Sequence, residues 1–182
     1  SDDEPDDDDP FVPEQEGEFR FSKPAVVDGN VYVANETLNA VAVIDSQTLA
    51  IETRLVGFEP REVVGPDADR AQPADEARVA VLNEGSFTVS LLEPDSDRVT
   101  TVPVMRHANR IAMDPSGRSA VTWYDPEDAK ASDPAGDLSS VSVVTGGKSY
   151  QIAVGFHVRE VVFDDAGSRA LVVTDDGIST ID

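Results

Sequence analysis

Short runs of alternating apolar and polar residues recur along most of the chain. Val31 and Val33 alternate with polar or small neighbours, Val41 and Val43 do so again, and Ile51, Thr53 and Leu55 follow before Gly57. β-Branched residues dominate these runs and polar turns separate them, which is the period-two signature of β-strands. The pattern returns in ARVAVLNEGSFTVSLLEPDSDRVTTVPVM (77–105). It returns again in SAVTWYDP (119–126) with SSVSVVTGGKSYQIAVGF (139–156), and in RALVVTDDGISTID (169–182). No convincing amphipathic helix interrupts it.

One phrase is written twice. VGFEPREVV (56–64) and VGFHVREVV (154–162) agree at seven of nine positions, 98 residues apart. VMRHANRIAM (104–113) sits between them at spacings of 48 and 50. Periods of this size mark stacked supersecondary units. Each unit holds four short strands, the first being the REVV-like one (Val63-Val64, Ile111-Ala112, Val161-Val162). VDGN (27–30), DPSGR (114–118) and DDAGSR (164–169) supply Asp and Gly for tight hairpin turns. A lone four-stranded sheet cannot bury both faces, and stacking such sheets around an axis does. Blade-to-blade cover on both faces would also explain continuous apolar runs such as Val41–Ile44. The expected fold is therefore all-β, a β-propeller of four-stranded antiparallel blades. The propeller region is 19–182, with blades at about 23–56, 61–104, 109–154 and 159–182, or about 3.7 blades.

Tyr32-Val33-Ala34-Asn35 followed by Val41-Ala42-Val43-Ile44-Asp45 resembles the YVTN-type propeller repeat. Gly57 to Val64 resembles that family's G-x-x-P-x-x-V-x blade junction. The likeness continues, with decay, through AVLN (80–83) and VSLLE (89–93), TWYD (122–125) and VSVVT (141–145), and VVTD (172–175) and ISTID (178–182). Met105 departs from it where the junction has glycine, and Val158 where it has proline. The resemblance is to lactonase-like and quinoprotein amine dehydrogenase-like propellers, and it implies a seven-bladed ring. The four units would then be a fragment of that ring, the last lacking its outer strand. The alternative is a four-bladed ring closed by Phe11-Val12, a poor strand because Pro13 removes a ladder donor. An open fragment would expose apolar blade faces and would tend to self-associate.

Two insertions, PDADRAQPADEA (66–77) and PEDAKASDPAGDL (126–138), break the period and read as solvated loops. Residues 1–18 carry ten acids and no base and read as an acidic, disordered linker. In the resembling family such tails tether a secreted propeller to the envelope, which implies an extracytoplasmic location.

Charge narrows the partners. Lys and Arg number 14 against 36 Asp and Glu, a net charge of −22, and both the tail and the remainder are acidic. Such a surface repels phosphate backbones, so nucleic acid is not an expected partner. Few lysines beside many aspartates hint at a salty habitat. There is no run of 18 apolar residues, hence no expected transmembrane segment. There is no cysteine, so thiolate metal sites and thiol nucleophiles are excluded.

Candidate chemistry gathers at the blade junctions. In register they carry Lys23, Arg61, Asn109 and Arg159. The start of the inner strand lies near the axial channel in such propellers, so these residues could form an anion-binding mouth. Alternatively, each arginine simply pairs with a nearby acid such as Glu62 or Glu160. His107 and His157 occupy equivalent positions, with Glu59 as their counterpart, and together make a candidate metal set. Repeat inheritance explains that coincidence equally well. No G-x-S-x-G is present, and TGGKS (145–149) lacks the upstream glycine of a phosphate loop. Neither a catalytic set nor a cofactor site is expected, and Trp123 and Tyr124 read as blade packing. The expected function is a binding or scaffold module that presents loops and a channel mouth to a protein or small ligand. A lactonase-like enzyme and an accessory to a c-type cytochrome are the alternatives.

Overall fold

The structure, a computed structural model, describes residues 19–67, 78–131 and 133–182. The acidic segment 1–18, the proposed closing strand at Phe11-Val12 and most of the 66–77 insertion lie outside the described residues. Fifteen strands and no helix are present among the described residues.

Four antiparallel sheets follow one another along the chain. The first contains β1 (Ala25–Val27), β2 (Asn30–Asn35), β3 (Ala40–Asp45) and β4 (Ile51–Leu55). The second contains β5 (Pro60–Val64), β6 (Val79–Asn83), β7 (Thr88–Leu92) and β8 (Val99–Pro103). The third contains β9 (Arg110–Met113), β10 (Ser119–Trp123), β11 (Ser140–Thr145) and β12 (Lys148–Ala153). The fourth contains β13 (Val158–Phe163), β14 (Ala170–Thr174) and β15 (Gly177–Ile181). Within each sheet the strands lie in sequence order, the up-and-down blade of a propeller. β5 packs against β9 and β9 against β13, so these inner strands of successive blades adjoin, while β5 also packs against β2, the second strand of the first blade.

The hairpins form where Asp and Gly demand them. Asp28 and Gly29 turn β1 into β2 at φ of 48° and 76°. Asp114 Oδ1 accepts the Ser116 amide at 2.7 Å, with Gly117 at φ 79°. Asp164 Oδ1 accepts the Ser168 amide at 2.9 Å, with Gly167 at φ 67°. The aspartate closes the turn and the glycine takes the left-handed residue without a Cβ clash.

The core consists of three interblade layers rather than one centre. Val27, Tyr32, Val41 and Val43 meet Val63, Val79, Val81 and Leu92 between the first two blades. Leu82, Val89 and Val102 meet Met105, Ile111, Tyr124 and Val144 between the second and third. Val121, Trp123 and Val141 meet Val158, Val161 and Val172 between the third and fourth. β6 is buried along its whole length because Val79 and Val81 face one layer while Ala80 and Leu82 face the next. Val41–Ile44 differs from the expectation of cover on both faces. Val41 and Val43 are buried, whereas Ala42 and Ile44 are half-buried, because the described residues place a blade on one side only of the first sheet. The outward face and edge of the first sheet leave Val26 and Leu55 exposed, and the fourth sheet leaves Val162 and Ile178 exposed.

Trp123 and Tyr124 are buried blade packing, as expected, but they feed opposite layers. Thr145 and Lys148 flank a Gly146-Gly147 turn with φ of 56° and 71°, so TGGKS is a β-hairpin and no helix follows it.

Candidate functional site

Three crossovers carry the chain from the outer strand of one blade to the inner strand of the next. Their central residues, Glu59, His107 and His157, all have left-handed backbone, at φ of 53°, 62° and 54°. The repeated position is therefore a backbone device first, whatever its side chain does. The crossovers are fastened by side chains from the hairpins that follow strand two. The Phe58 amide donates to Ser86 Oγ at 3.1 Å, the Glu59 amide to Asn39 Oδ1 at 2.9 Å, and the Phe156 amide to Asp176 Oδ2 at 2.8 Å.

The departure at Met105 has a packing reason. A Cβ on Gly57 would lie 2.6 Å from Asn83 Nδ2, and one on Gly155 would lie 2.3 Å from Thr174 Oγ1. The third blade has Tyr124 at the position of Asn83 and Thr174. Its ring lies against Gly136 of the 126–138 insertion, where an added Cβ would be 2.5 Å from Tyr124 Cγ. Met105 occupies the same apolar layer as Tyr124, and its amide still donates to Ser142 Oγ at 2.8 Å. Val158 fills the buried slot that Pro60 holds in the second blade.

Arg61, Asn109 and Arg159 fall in register but face partners, whereas the strand pairing aligns Lys23 with Glu62 rather than Arg61. Arg61 Nη1 donates to Glu84 Oε2 at 2.8 Å and Nη2 to the Asp128 carbonyl at 2.9 Å. Arg159 Nε donates to Asp175 Oδ1 at 2.7 Å and Nη1 to Glu127 Oε1 at 2.5 Å. Arg110 also reaches Asp128, at 2.8 Å. Asn109 replaces the ion pair with a reciprocal backbone clasp. Its Nδ2 donates to the Asp125 carbonyl at 2.8 Å and its Oδ1 accepts the Asp125 amide at 2.7 Å. Asn109 is buried, so it does not present an amide to a channel. Lys23 is exposed just before β1. Glu62 and Glu160, the neighbours in sequence, are not the carboxylates that the arginines bond. The bonded acids are those that immediately follow strand two, joined by acids of the 126–138 insertion.

Electrostatics follow the contacts. Burial lowers the Arg61 guanidinium, but the Glu84 hydrogen bond and the charges of Glu84, Asp128 and Glu62 outweigh it and raise its pKa. Arg159 is raised by its hydrogen bond to Asp175. Asp175 is held below the ordinary carboxylate range by that same bond, against burial and with help from His157. Burial pushes Glu62 up, against the pull of Arg110 and Arg61.

The metal set separates. His157 Nδ1 lies 3.1 Å from Asp175 Oδ2, whereas Glu59 and His107 line a different cavity. Among the described residues no group of three or more His, Asp or Glu side chains converges on one ion position. Blade rotation moves equivalent residues apart, so repeat inheritance is the better account of the two histidines.

The Glu59–His107 cavity is the candidate ligand site on the crossover face. It has a volume of about 300 Å³ between the second and third blades. Phe87, Tyr124 and Glu84 are among its other walls, with Ala129, Lys130, Asp133 and Pro134 from the 126–138 insertion. His107 meets the Phe87 ring edge-on at 4.9 Å between centroids, and Arg106 lies 5.4 Å above that ring. Gly85 makes room for Glu59, whose Oε2 would lie 2.6 Å from an added Cβ.

Arg54 was missed at the sequence level. It stands in β4 where Val102 and Ile152 stand in the next two blades, so its signal was a charge at an apolar repeat position. Its side chain is buried, and Nη1 crosses to the Glu93 carbonyl of the second blade at 2.8 Å. Glu52 and Asp97 are 3.9 and 4.0 Å from Nη2.

No family model and no curated protein matches this sequence. Solved propeller structures do. Hydrazine synthase of Kuenenia stuttgartiensis superposes with a TM-score of 0.61 at 16% identity, over 87% of this chain and 45% of its own. A Bacteroides fragilis protein assigned as a 6-phosphogluconolactonase gives 0.55 at 15% identity, over 90% and 51%. YCF48 bound to a D1 peptide gives 0.55 at 14% identity, over 90% and 49%. The chain thus spans about half the length of the structures it matches, and at these identities the likeness establishes its fold, a partial β-propeller.

Proposed function

We propose that this chain belongs to an extracytoplasmic binding module of the YVTN-type propeller class, which receives a protein loop or small ligand on its crossover face. The observation that carries this reading is the Glu59–His107 cavity, walled by the one described insertion that departs from the repeat. The Phe87 ring beside Glu59 suits a peptide or ligand that bears an amine. The YCF48 complex with a D1 peptide is a precedent for peptide capture on a similar scaffold. The acidic 1–18 segment suits a solvated tether. The exposed residues of the first and fourth sheets belong to the same proposal. In the matched proteins further chain accompanies the shared half, and residues 1–182 alone would use a second copy to cover Val26, Leu55, Val162 and Ile178.

Displayed peptide libraries and lactone hydrolysis, assayed on the same preparation, test the reading. The expected result is enrichment of a peptide class on the wild type and its loss in Phe87→Ala/His107→Ala, with no lactone hydrolysis above buffer. Enrichment indifferent to those substitutions, or lactone turnover that requires His107, would overturn it.

A further inference from the structure

Away from the crossovers, the opposite face carries two grooves in equivalent places between successive blades. The first lies between β3–β4 and the β7–β8 turn, with a volume of about 400 Å³. The second lies between β7–β8 and the β11–β12 turn, with a volume of about 480 Å³. Arg54 sets the first apart, because Val102 and Ile152 hold its position in the next two blades. Its side chain is only 7% exposed. A guanidinium is a fork of N–H donors. Among the described residues one hydrogen bond holds this fork, from Nη1 to the Glu93 carbonyl at 2.8 Å. Nε is buried without a partner. Nη2 comes no nearer to a carboxylate than 3.9 Å at Glu52 and 4.0 Å at Asp97. The hydroxyl of Tyr32, on β2 of the same blade, is a second buried group without a partner. Burial raises its pKa, and Arg54 is the charge that most opposes this.

We propose that the first groove binds a free basic amino acid, of the lysine or arginine type. Nε and Nη2 form one edge of the guanidinium, and such an edge takes a carboxylate in two parallel hydrogen bonds. A ligand carboxylate there satisfies the buried Nε, whose lack of a partner otherwise costs free energy. Glu52 and Asp97 stand beside Nη2 without bonding it, where they meet the α-ammonium of a ligand so seated. Asp45 and Asp95 line the same groove, so four carboxylates face one guanidinium. Asp45 is ionised, because the Thr48 and Gln47 amides hold it below the ordinary carboxylate range. The excess of negative charge attracts a second cation, on the side chain of the ligand. No group of three acids converges on one ion position among the described residues, so the charges are spread as an organic cation requires. The volume suits a ligand of amino-acid size. The fold does not impose Arg54, since the equivalent positions are apolar. A charge buried there without its full set of bonds is costly, and an occupied groove removes that cost.

Calorimetry at low salt with L-lysine and L-arginine tests the assignment. Two analogues run beside them: cadaverine, which lacks the carboxylate, and norleucine, which lacks the side-chain ammonium. At least one amino acid should bind, and each analogue should bind at least tenfold more weakly. Asp95→Asn/Asp97→Asn should weaken amino-acid binding at least tenfold. Both side chains are exposed, so the fold should survive, which circular dichroism checks. Arg54→Lys keeps the charge and loses the paired edge, and should weaken amino-acid binding at least tenfold while leaving cadaverine unchanged. If that variant does not fold, the analogues and the aspartate pair still decide. No heat with either amino acid, equal affinity for either analogue, or equal affinity in the aspartate variant would overturn the proposal. Equal affinity for cadaverine would mean attraction to an acidic surface only. The groove lies on the face opposite the crossover cavity, so Phe87→Ala/His107→Ala should leave amino-acid binding unchanged.

Discussion

The groove between blades one and two and the groove between blades two and three have the same strands and turns around them, yet different side chains. In the first, four carboxylates surround a buried arginine that is bonded to a carbonyl. In the second, Arg78, Arg98 and Arg118 share the walls with Glu93, and the first two reach its carboxylate. Glu93 belongs to both, its carbonyl held by Arg54 and its side chain by Arg78 and Arg98. A repeat protein thus contains its own control. Features shared by equivalent positions, such as the left-handed crossover residue, report on the scaffold. Features that break the equivalence, such as the side chains that line a groove, report on what one blade pair does alone.

The largest expected effect comes from the buried lock of the first groove. Arg54→Ala removes a charged hydrogen bond to a carbonyl and leaves a void, and should cost about 2–3 kcal/mol in urea unfolding. Arg54→Val, the residue type of the equivalent position in blade two, should cost less. On the crossover face Arg61→Ala leaves half-buried Glu84 without its donor and should cost about 1–2 kcal/mol. Arg159→Ala, at a more exposed pair, should lower Tm less, and the difference should vanish in molar salt. Binding of a small dicarboxylate that is unchanged in Arg61→Ala/Arg159→Ala, read by calorimetry, would rule out the crossover mouth as an anion site.

The smallest effect is in the pH profile. Asp45, Asp164 and Asp175 have folded-state pKa values below the ordinary one. The stability they contribute is present above about pH 4 and is lost as pH falls through the lowered values. Asp175→Asn should flatten that part of the acid slope. Glu62 runs the other way because burial raises it, so its ionisation opposes folding. Glu62→Gln should stabilise the fold above the raised value and change little below about pH 4. Thermal melts across pH 3–8 measure both.

The fold was legible because it is written several times over. Alternation in one segment suggests a strand, and the same alternation at a period near 49 suggests a blade. Asp-Gly turns at 28–29, 114–117 and 164–167 pinned the hairpins for local chemical reasons. Pairing at the crossovers was half legible. Glu84, Asp125 and Asp175 each follow strand two, in register with Arg61, Asn109 and Arg159, and that correlation was available. Acids from the 126–138 insertion were not, since an insertion has no repeat to set its position. The groove between blades two and three was hidden for a geometric reason. Arg78, Arg98 and Arg118 are 20 residues apart in steps, two in one unit and one in the next, and they converge only when blades stack. Arg78 and Arg118 each immediately precede strand two of their blade, which is the trace that pattern reading could have followed. His107 and His157 teach the reverse lesson. Their register was visible, but register around an axis means separation in space.

The positive φ shared by Glu59, His107 and His157 has a practical consequence for engineering. Glycine would satisfy that backbone best, so each side chain there is held at a conformational cost of about 1 kcal/mol. The first and third crossovers, which share the close-packed glycine at 57 and 155, are consequently interchangeable cassettes. VGFEP (56–60) transplanted over VGFHV (154–158) keeps the trace of the chain, and glycine at the centre of any of the three deletes a side chain while easing the turn beneath it. Blade order and surface chemistry can thus be edited separately.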